Sequence, residues 1–305
     1  MTVSVILPSK NRHNDLLDVL RCLSGQTVQP AQIVVVDQST EPLSLDSFVS
    51  ALQNYAGDKV YVHDPGISGA ASARNVAMSR AIGDIWLFLD DDVQFEDTLV
   101  GRLLDAYALL PQAAGIGGVI VNYSRPGTLD LLFRRIFETG PFWDDRQPIY
   151  WKAAELQPRP IEVSRFTGAI MSFRASNLRF DEALVGRSLA EDIDFCIRNS
   201  SFGPLFMAPT VKVTHLRSQT GREPADWLRA SMQAASYLYV KHWRGSFRNR
   251  VSFYWLRFGY AMAAALSCLK RGSSDSWRAM KDGVETGRQL AQQSLQANGA
   301  TSTAR

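Results

Sequence analysis

The residues of this chain best suited to chemistry are carboxylates clustered at the ends of apolar runs. The run IWLFL at 85–89 leads directly into Asp90, Asp91 and Asp92. Three adjacent carboxylates at the end of a buried strand are costly unless positive charge compensates them. A divalent cation does so, and oxygen ligands suit magnesium or manganese. Alternate residues of an extended segment share a face, so Asp90 and Asp92 can hold one ion while Asp91 points elsewhere. The plain alternative is an acidic helix start, because Glu96 and Asp97 follow and acids favour a helix N-terminus. Taken alone, LDDDV fits either reading.

Other groups invite the same two-sided reading. Glu191, Asp192 and Asp194 open EDIDFCIR at 191–198. A carboxylate there, aimed into a cleft, could act as a general base. Simple capping explains Glu191 and Asp194 equally well. Arg74 and Asn75 close GISGAASARN at 66–75, where small residues let backbone approach a ligand and Arg74 could fork onto a diphosphate. An arginine exposed on an Ala-rich helix is the commoner fate. His215 ends VKVTH, and a lone histidine is usually structural. G-x-G-x-x-G, G-x-x-x-x-G-K-[ST] and G-x-S-x-G are all missing, which counts against dehydrogenase, Walker-type NTPase and α/β-hydrolase chemistry.

The elements that must position these residues alternate. Apolar, β-branched runs at 3–7, 32–36, 59–63, 85–89 and 116–121 read as strands. Helical spacing appears at 14–23, 45–55, 69–82 and 96–110 between them. Alternation of this kind predicts an α/β fold, a parallel sheet with helices on both faces. Ligands in such sheets bind beyond the carboxyl ends of the strands. Ser9 to Arg12, Asp37 to Ser39 and Asp90 to Asp92 all sit at those ends, so one crevice should collect them. Beyond 125 the pattern turns irregular and aromatic. Strands are expected again at 166–174 and 211–215, a helix near Glu191, and three more helices at about 224–243, 251–270 and 276–296.

In this order the motifs resemble the family 2 glycosyltransferases of the GT-A fold. VSVILPSKNR (3–12) is similar to that family's opening strand and nucleotide loop, VVVDQST (34–40) to its base-reading strand, and GISGAASARN to its Ala-Arg-Asn segment. LDDDV resembles the Asp-x-Asp metal motif, FTGAIMSFR (166–174) the acceptor-side strand, and EDIDFCIR the Glu-Asp-x-Asp helix. The likeness covers about residues 1–217, and six motifs in sequence decide the open question for Asp90, Asp92 and Asp192.

The resemblance implies a Rossmann-like, mixed and mostly parallel sheet. It also implies an inverting hexosyl- or deoxyhexosyltransferase that uses a nucleotide-diphosphate sugar (a UDP- or dTDP-sugar) and Mg2+ or Mn2+. The implied acceptor is a saccharide or a lipid-linked molecule, as in polysaccharide biosynthesis. Pro8, Ser9, Arg12, Asp37, Arg74, Asp90 and Asp91 would bind the donor, with Asp37 on the base. Asp90, Asp92 and His215 would address the metal, and Asp192 would be the catalytic base. Gln38 stands where the family often has a second acid, which leaves uracil against thymine open. The competing readings are a sugar nucleotidyltransferase, whose Gly-rich opening loop is not found after Pro8, and a non-catalytic carbohydrate-binding scaffold.

Composition sets the remaining expectations. The 305 residues carry 33 basic and 30 acidic side chains, too even a balance for a nucleic-acid partner. Cys22, Cys196 and Cys268 show no metal-ligand spacing and fit a reducing cytosol. MTVSVIL at the start lacks the basic flank and length of a signal peptide. From 241 to 281, nine Lys or Arg face one acid, Asp275, with aromatics between them. The run FGYAMAAALSCL at 258–269 falls short of the ~20 residues that span a bilayer. This region is expected to lie on an anionic membrane surface at the cytoplasmic face, the alternative being a helical cap on the core. The expected division is a catalytic domain at 1–220, a helical region at 221–296 and a polar, disordered tail at 297–305.

Overall fold

A computed structural model of the chain describes residues 1–124, 126–143, 158–184, 190–216 and 224–302. They form two compact units.

The first unit is built on a sheet whose leading strands are β1 (Val3–Ser9), β2 (Gln32–Asp37), β3 (Asp58–His63) and β4 (Ile85–Leu89). β1 pairs in parallel with β2 and β4, and β2 with β3. The remaining strands are β5 (Val93–Gln94), β6 (Gly115–Ile120), β7 (Ile161–Val163), β8 (Ile170–Arg174) and β9 (Leu205–His215). Their insertion makes the sheet mixed, in the order β3-β2-β1-β4-β8-β6-β9-β5 with β7 on β9. β8 runs antiparallel to both β4 and β6, whereas β6 and β9 are parallel. The α/β class and the mostly parallel sheet therefore match the sequence pattern. β1 extends one residue past Pro8. β4 pairs with β1 only as far as Ile6, so Pro8 has one strand neighbour, β2, and its missing N–H is tolerated.

Period-two alternation sends the strand side chains to two cores. Val5, Leu7, Ile33, Val35 and Leu87 point to one face, under α1 (His13–Ser24), α2 (Leu45–Ala51) and α4 (Leu99–Leu109). Ile6, Val34, Val36 and Phe88 point to the other, under α3 (Ala70–Met78) and α6 (Glu191–Asn199). The second core is aromatic: Phe180 stacks on Phe195 at 3.9 Å, and Phe88 meets both rings edge-on. Cys196 is buried in this core, and its sulfur accepts the Phe166 amide.

The second unit is helical: α5 (Thr128–Phe137), α7 (Pro224–Leu238), α8 (Phe247–Arg271) and α9 (Asp275–Ser302), with one π turn at Tyr239–Trp243. The three late helices stand where periodicity put them. The boundary at 220 needs correction, because α5 and the short turn at Gly140–Phe142 belong to this unit although they lie far upstream. α9 runs helical to Ser302, into the stretch expected as tail, and 303–305 lie outside the described residues. Tyr150 and Trp151 also lie outside them.

Asn75 shows how α3 is fixed beneath the sheet. Its amide donates to the Phe180 carbonyl at 2.9 Å and its oxygen accepts the Phe180 N–H at 2.7 Å. Replacing Asn75 by alanine strands both backbone groups in an aromatic core, at about 1–3 kcal/mol for each. Urea unfolding of Asn75→Ala is expected to show a loss of at least about 2 kcal/mol. An unchanged midpoint would mean that water reaches these groups instead.

Candidate active site

Asp90, Asp91 and Asp92 follow directly on β4, and a turn at Asp91–Asp92, before β5 begins at Val93, sends them three ways. Asp91 points inward, where its carboxylate accepts the Ser9 hydroxyl at 2.7 Å and the Arg12 guanidinium at 3.1 Å. Burial, only partly offset by those two donors, pushes the Asp91 carboxyl up to about 6. Asp90 is half-buried and stands 3.4 Å from Arg74 Nη2. Asp92 meets Arg12 at 3.0 Å and the His215 ring at 2.9 Å. Burial raises the Asp92 carboxyl, but His215 and Arg12 outweigh it and hold it below the ordinary range.

His215 reaches this point because β5 pairs antiparallel with the end of β9, Val93 opposite His215. Asn122 fixes the backbone there, donating to the His215 carbonyl at 2.8 Å and accepting its N–H at 3.0 Å. Asp90, Asp92 and His215 thus each offer one ligand atom, all within 4.8 Å of one another. Two carboxylate oxygens and one imidazole nitrogen suit Mn2+, and also Mg2+ with fewer protein ligands. Asp92 Oδ1 is buried and faces His215 Nε2 at 2.9 Å without an aligned hydrogen bond. The residues present fit a divalent cation.

Arg74 is 2% exposed, so the surface reading of this arginine does not hold. Its guanidinium lies over the Phe180 ring at 5.4 Å and reaches the Gly168 carbonyl as well as Asp90, both at 3.4 Å. A Cβ at Gly168 would lie 3.0 Å from Arg74 Nη2, so a side chain there would have to push the guanidinium aside by a few tenths of an ångström. The Gly168 amide donates to Asp192 Oδ2 at 3.0 Å, and Asp192 Oδ1 accepts the Ile193 amide at 2.8 Å. Gly168 is therefore the link that sets Asp192 beside the Arg74–Asp90 pair. Asp194 is a different kind of acid: fully buried, with Oδ2 taking both Nε and Nη2 of Arg198 at 2.9 and 2.7 Å.

The β2 end departs from its expected simplicity. Asp37 is fully buried, and its oxygens accept Ser39 N, Leu43 N and the Tyr61 hydroxyl. Burial raises the Asp37 carboxyl, yet these donors outweigh it and hold it below the usual range. Here Asp37 shapes the loop at 37–43. Gln38, also buried, has a side-chain oxygen with no hydrogen-bond partner. Pro8 and Ser9 are both buried at the end of β1. Gly168, Phe180 and Asn122 were not singled out by sequence reasoning. Only Gly168 carried a signal, as the glycine inside FTGAIMSFR.

A model described as "Glycosyl transferase family 2" matches residues 4–179. The amylovoran biosynthesis glycosyltransferase AmsB of Erwinia amylovora is 25% identical over 215 residues, 68% of this chain and 66% of that protein. This chain thus spans just under two thirds of that relative's length. Among solved structures, the mannosyltransferase PcManGT of Pyrobaculum calidifontis, in complex with GDP-Man and Mn2+, is similar with a TM-score of 0.52 at 17% identity. That match covers 95% of this chain and 86% of that one. S. aureus TarS 1–349 in complex with UDP is similar with a TM-score of 0.53 at 15% identity, covering 97% and 92%. At such identities the two structures establish the GT-A type of fold and no more. The family model covers more than half of the chain, and the chain belongs to glycosyl transferase family 2.

Proposed function

We propose that this protein is an inverting glycosyltransferase that moves a sugar from a nucleotide diphosphate onto a saccharide or lipid-linked hydroxyl. One observation carries the reading: Asp90, Asp92 and His215 converge beside Arg74, and Gly168 joins that group to Asp192. The donor is a UDP- or dTDP-sugar. Pro8, Ser9, Arg12, Asp37, Arg74, Asp90 and Asp91 shape its pocket, Asp37 through the loop it holds. Gln38, with an unengaged amide oxygen, adds a polar group at the same strand end.

Asp90, Asp92 and His215 would hold Mg2+ or Mn2+. A cation there offsets the negative charge that grows on the leaving nucleotide diphosphate. Arg74 contributes a second positive group on that side, with its orientation set by the Phe180 ring. Asp192 takes the proton from the attacking hydroxyl as it adds to the anomeric carbon. Two backbone amides hold the carboxylate in one orientation, which suits a base that must meet its proton at a fixed point. Attack opposite the leaving group inverts the anomeric centre in one displacement.

The protein works as a peripheral protein at the cytoplasmic face of a membrane. Its three cysteines are free thiols, in keeping with a reducing compartment. Among the described residues no helix is long and apolar enough to cross a bilayer.

Consumption of nucleotide sugars with Mn2+, with and without acceptor, tests the whole reading. Transfer supports it. Synthesis of the nucleotide sugar instead would indicate a nucleotidyltransferase, and binding without turnover a scaffold. Asp192→Asn is expected to lower turnover by ~10²–10⁴-fold with donor affinity nearly intact. Near-normal turnover in that variant would remove Asp192 from the base role. Mn2+ at about 100 times its Kd should stabilise the native protein by about 2.7 kcal/mol. Thermal unfolding of Asp92→Ala and His215→Ala should show most of that gain lost. A full Mn2+ shift in His215→Ala would leave the ion to the carboxylates alone.

A further inference from the structure

The helical unit bears an exposed apolar face that the transferase chemistry does not use. Eight large apolar side chains of α8 stand exposed, from Phe247 (71%) to Leu269 (81%). At 3.6 residues per turn they occupy roughly a third of the helix circumference. Buried Phe253, Leu256 and Tyr260 lie on the opposite side. Water-facing apolar residues scattered singly need no explanation, but a continuous stripe along 25 residues does.

α5 widens the stripe. Its Phe133 and Phe137 turn inward onto Tyr260 and Trp255, whereas Leu129 (82% exposed), Leu132 and Ile136 turn outward at helical spacing. The two helices approach closely at Gly259, where a Cβ would fall 2.4 Å from the Phe137 ring. Trp255 Nε1 donates to the Ile136 carbonyl at 2.7 Å and so ties the two exposed edges together. An open cleft of about 420 Å³ on this face is lined by Arg250, Val251, Tyr254 and Trp255. It places a guanidinium beside apolar walls.

Charge decides what would cover such a face. α8 holds Arg248, Arg250, Arg257, Lys270 and Arg271 and no acid. A second copy seated there would bring like charges together, whereas an anionic surface would pair with them. Trp255 and Tyr254 are amphipathic rings of the kind that settle at headgroup depth. Arg257 lies along the Tyr254 ring at 5.5 Å, with its apolar stem covered and its head able to reach water or phosphate.

We propose that α5 and α8 together form one face that lies in the headgroup layer of an anionic bilayer, with the Arg250 cleft taking a lipid phosphate. This rests on the peripheral placement proposed above and adds to it the face, the lipid class and the participation of α5. The test is flotation of the full chain with vesicles of phosphatidylcholine, alone or with about a third phosphatidylglycerol. Binding is expected only with the anionic lipid and should fall in high salt. The paired substitutions Leu129→Glu with Leu132→Glu on α5, and Phe247→Asp with Leu269→Asp on α8, should each weaken it at least ~10-fold. Arg248→Gln with Arg250→Gln should abolish the preference for anionic lipid. Circular dichroism confirms folding of each variant, and donor consumption is followed in parallel. A variant that floats poorly but turns over normally supports the face. A native protein that floats but lacks turnover would sink the transferase reading and leave the face standing. Full flotation of the α5 variant would restrict the contact to α8 and overturn the composite face. No flotation with any vesicle, together with a dimeric mass in light scattering, would make the face an interface between copies.

Discussion

Three consecutive carboxylates at the end of a buried strand are the constraint around which the first unit is organised. Left together they would repel one another and lose hydration. A turn after β4 separates them instead, and each meets compensation from another part of the chain, with Arg12 reaching both Asp91 and Asp92. Asp91 meets Ser9 and Arg12 from the end of β1, Asp92 meets His215 from β9, and Asp90 meets Arg74 from α3. β5 and β9 must pair for His215 to arrive, and α3 must pack under the sheet for Arg74 to do so. The electrostatic demand at one strand end thus ties together elements more than 100 residues apart.

Compensation of this kind leaves a polarised site. Asp91 is buried as deeply as Asp92 but has less positive charge against it, and its raised carboxyl reflects that burial. Asp90 and Asp92 each keep an oxygen close to the His215 ring, a set that positive charge can complete. Arg74, 2% exposed, is accompanied in its burial by Asp90, the Phe180 face and the Gly168 carbonyl. Phe180 is in turn clamped by Asn75, the next residue after Arg74 on α3. One short helix therefore carries both the charge and the clasp that holds its support.

Much of this was legible in the sequence because it depends on period and adjacency. Strands β1, β2 and β4 are largely apolar and five to seven residues long, and the acids at the ends of β2 and β4 stand out by position. The split between Asp91 and its neighbours is the one alternation predicts, although a turn rather than a strand produces it. What was not legible depends on pairing between distant segments. Nothing local to Asp37 says that Tyr61 and the Leu43 amide will take up its oxygens. Nothing local to Asn122 says that it will hold His215. The antiparallel entry of β8 between β4 and β6 also comes from long-range register rather than from any feature of FTGAIMSFR.

The helical unit shows the same limit through charge. Counting basic residues from 241 to 281 treats them as one surface, yet Lys241 is only 6% exposed. Its ammonium pairs with Asp181, which also accepts the Tyr237 and Ser294 hydroxyls. Asp181 lies 60 residues upstream in sequence, so the partner is invisible to a window count. A buried lysine with a satisfied carboxylate holds α7, α9 and the segment at Asp181 in one arrangement. It offers nothing to an outside surface. Removing it from the count sharpens the picture of α8, whose basic residues have no acid on the same helix to answer them. Exposure, rather than composition, separates the charge that fixes this unit from the charge that remains available to a partner.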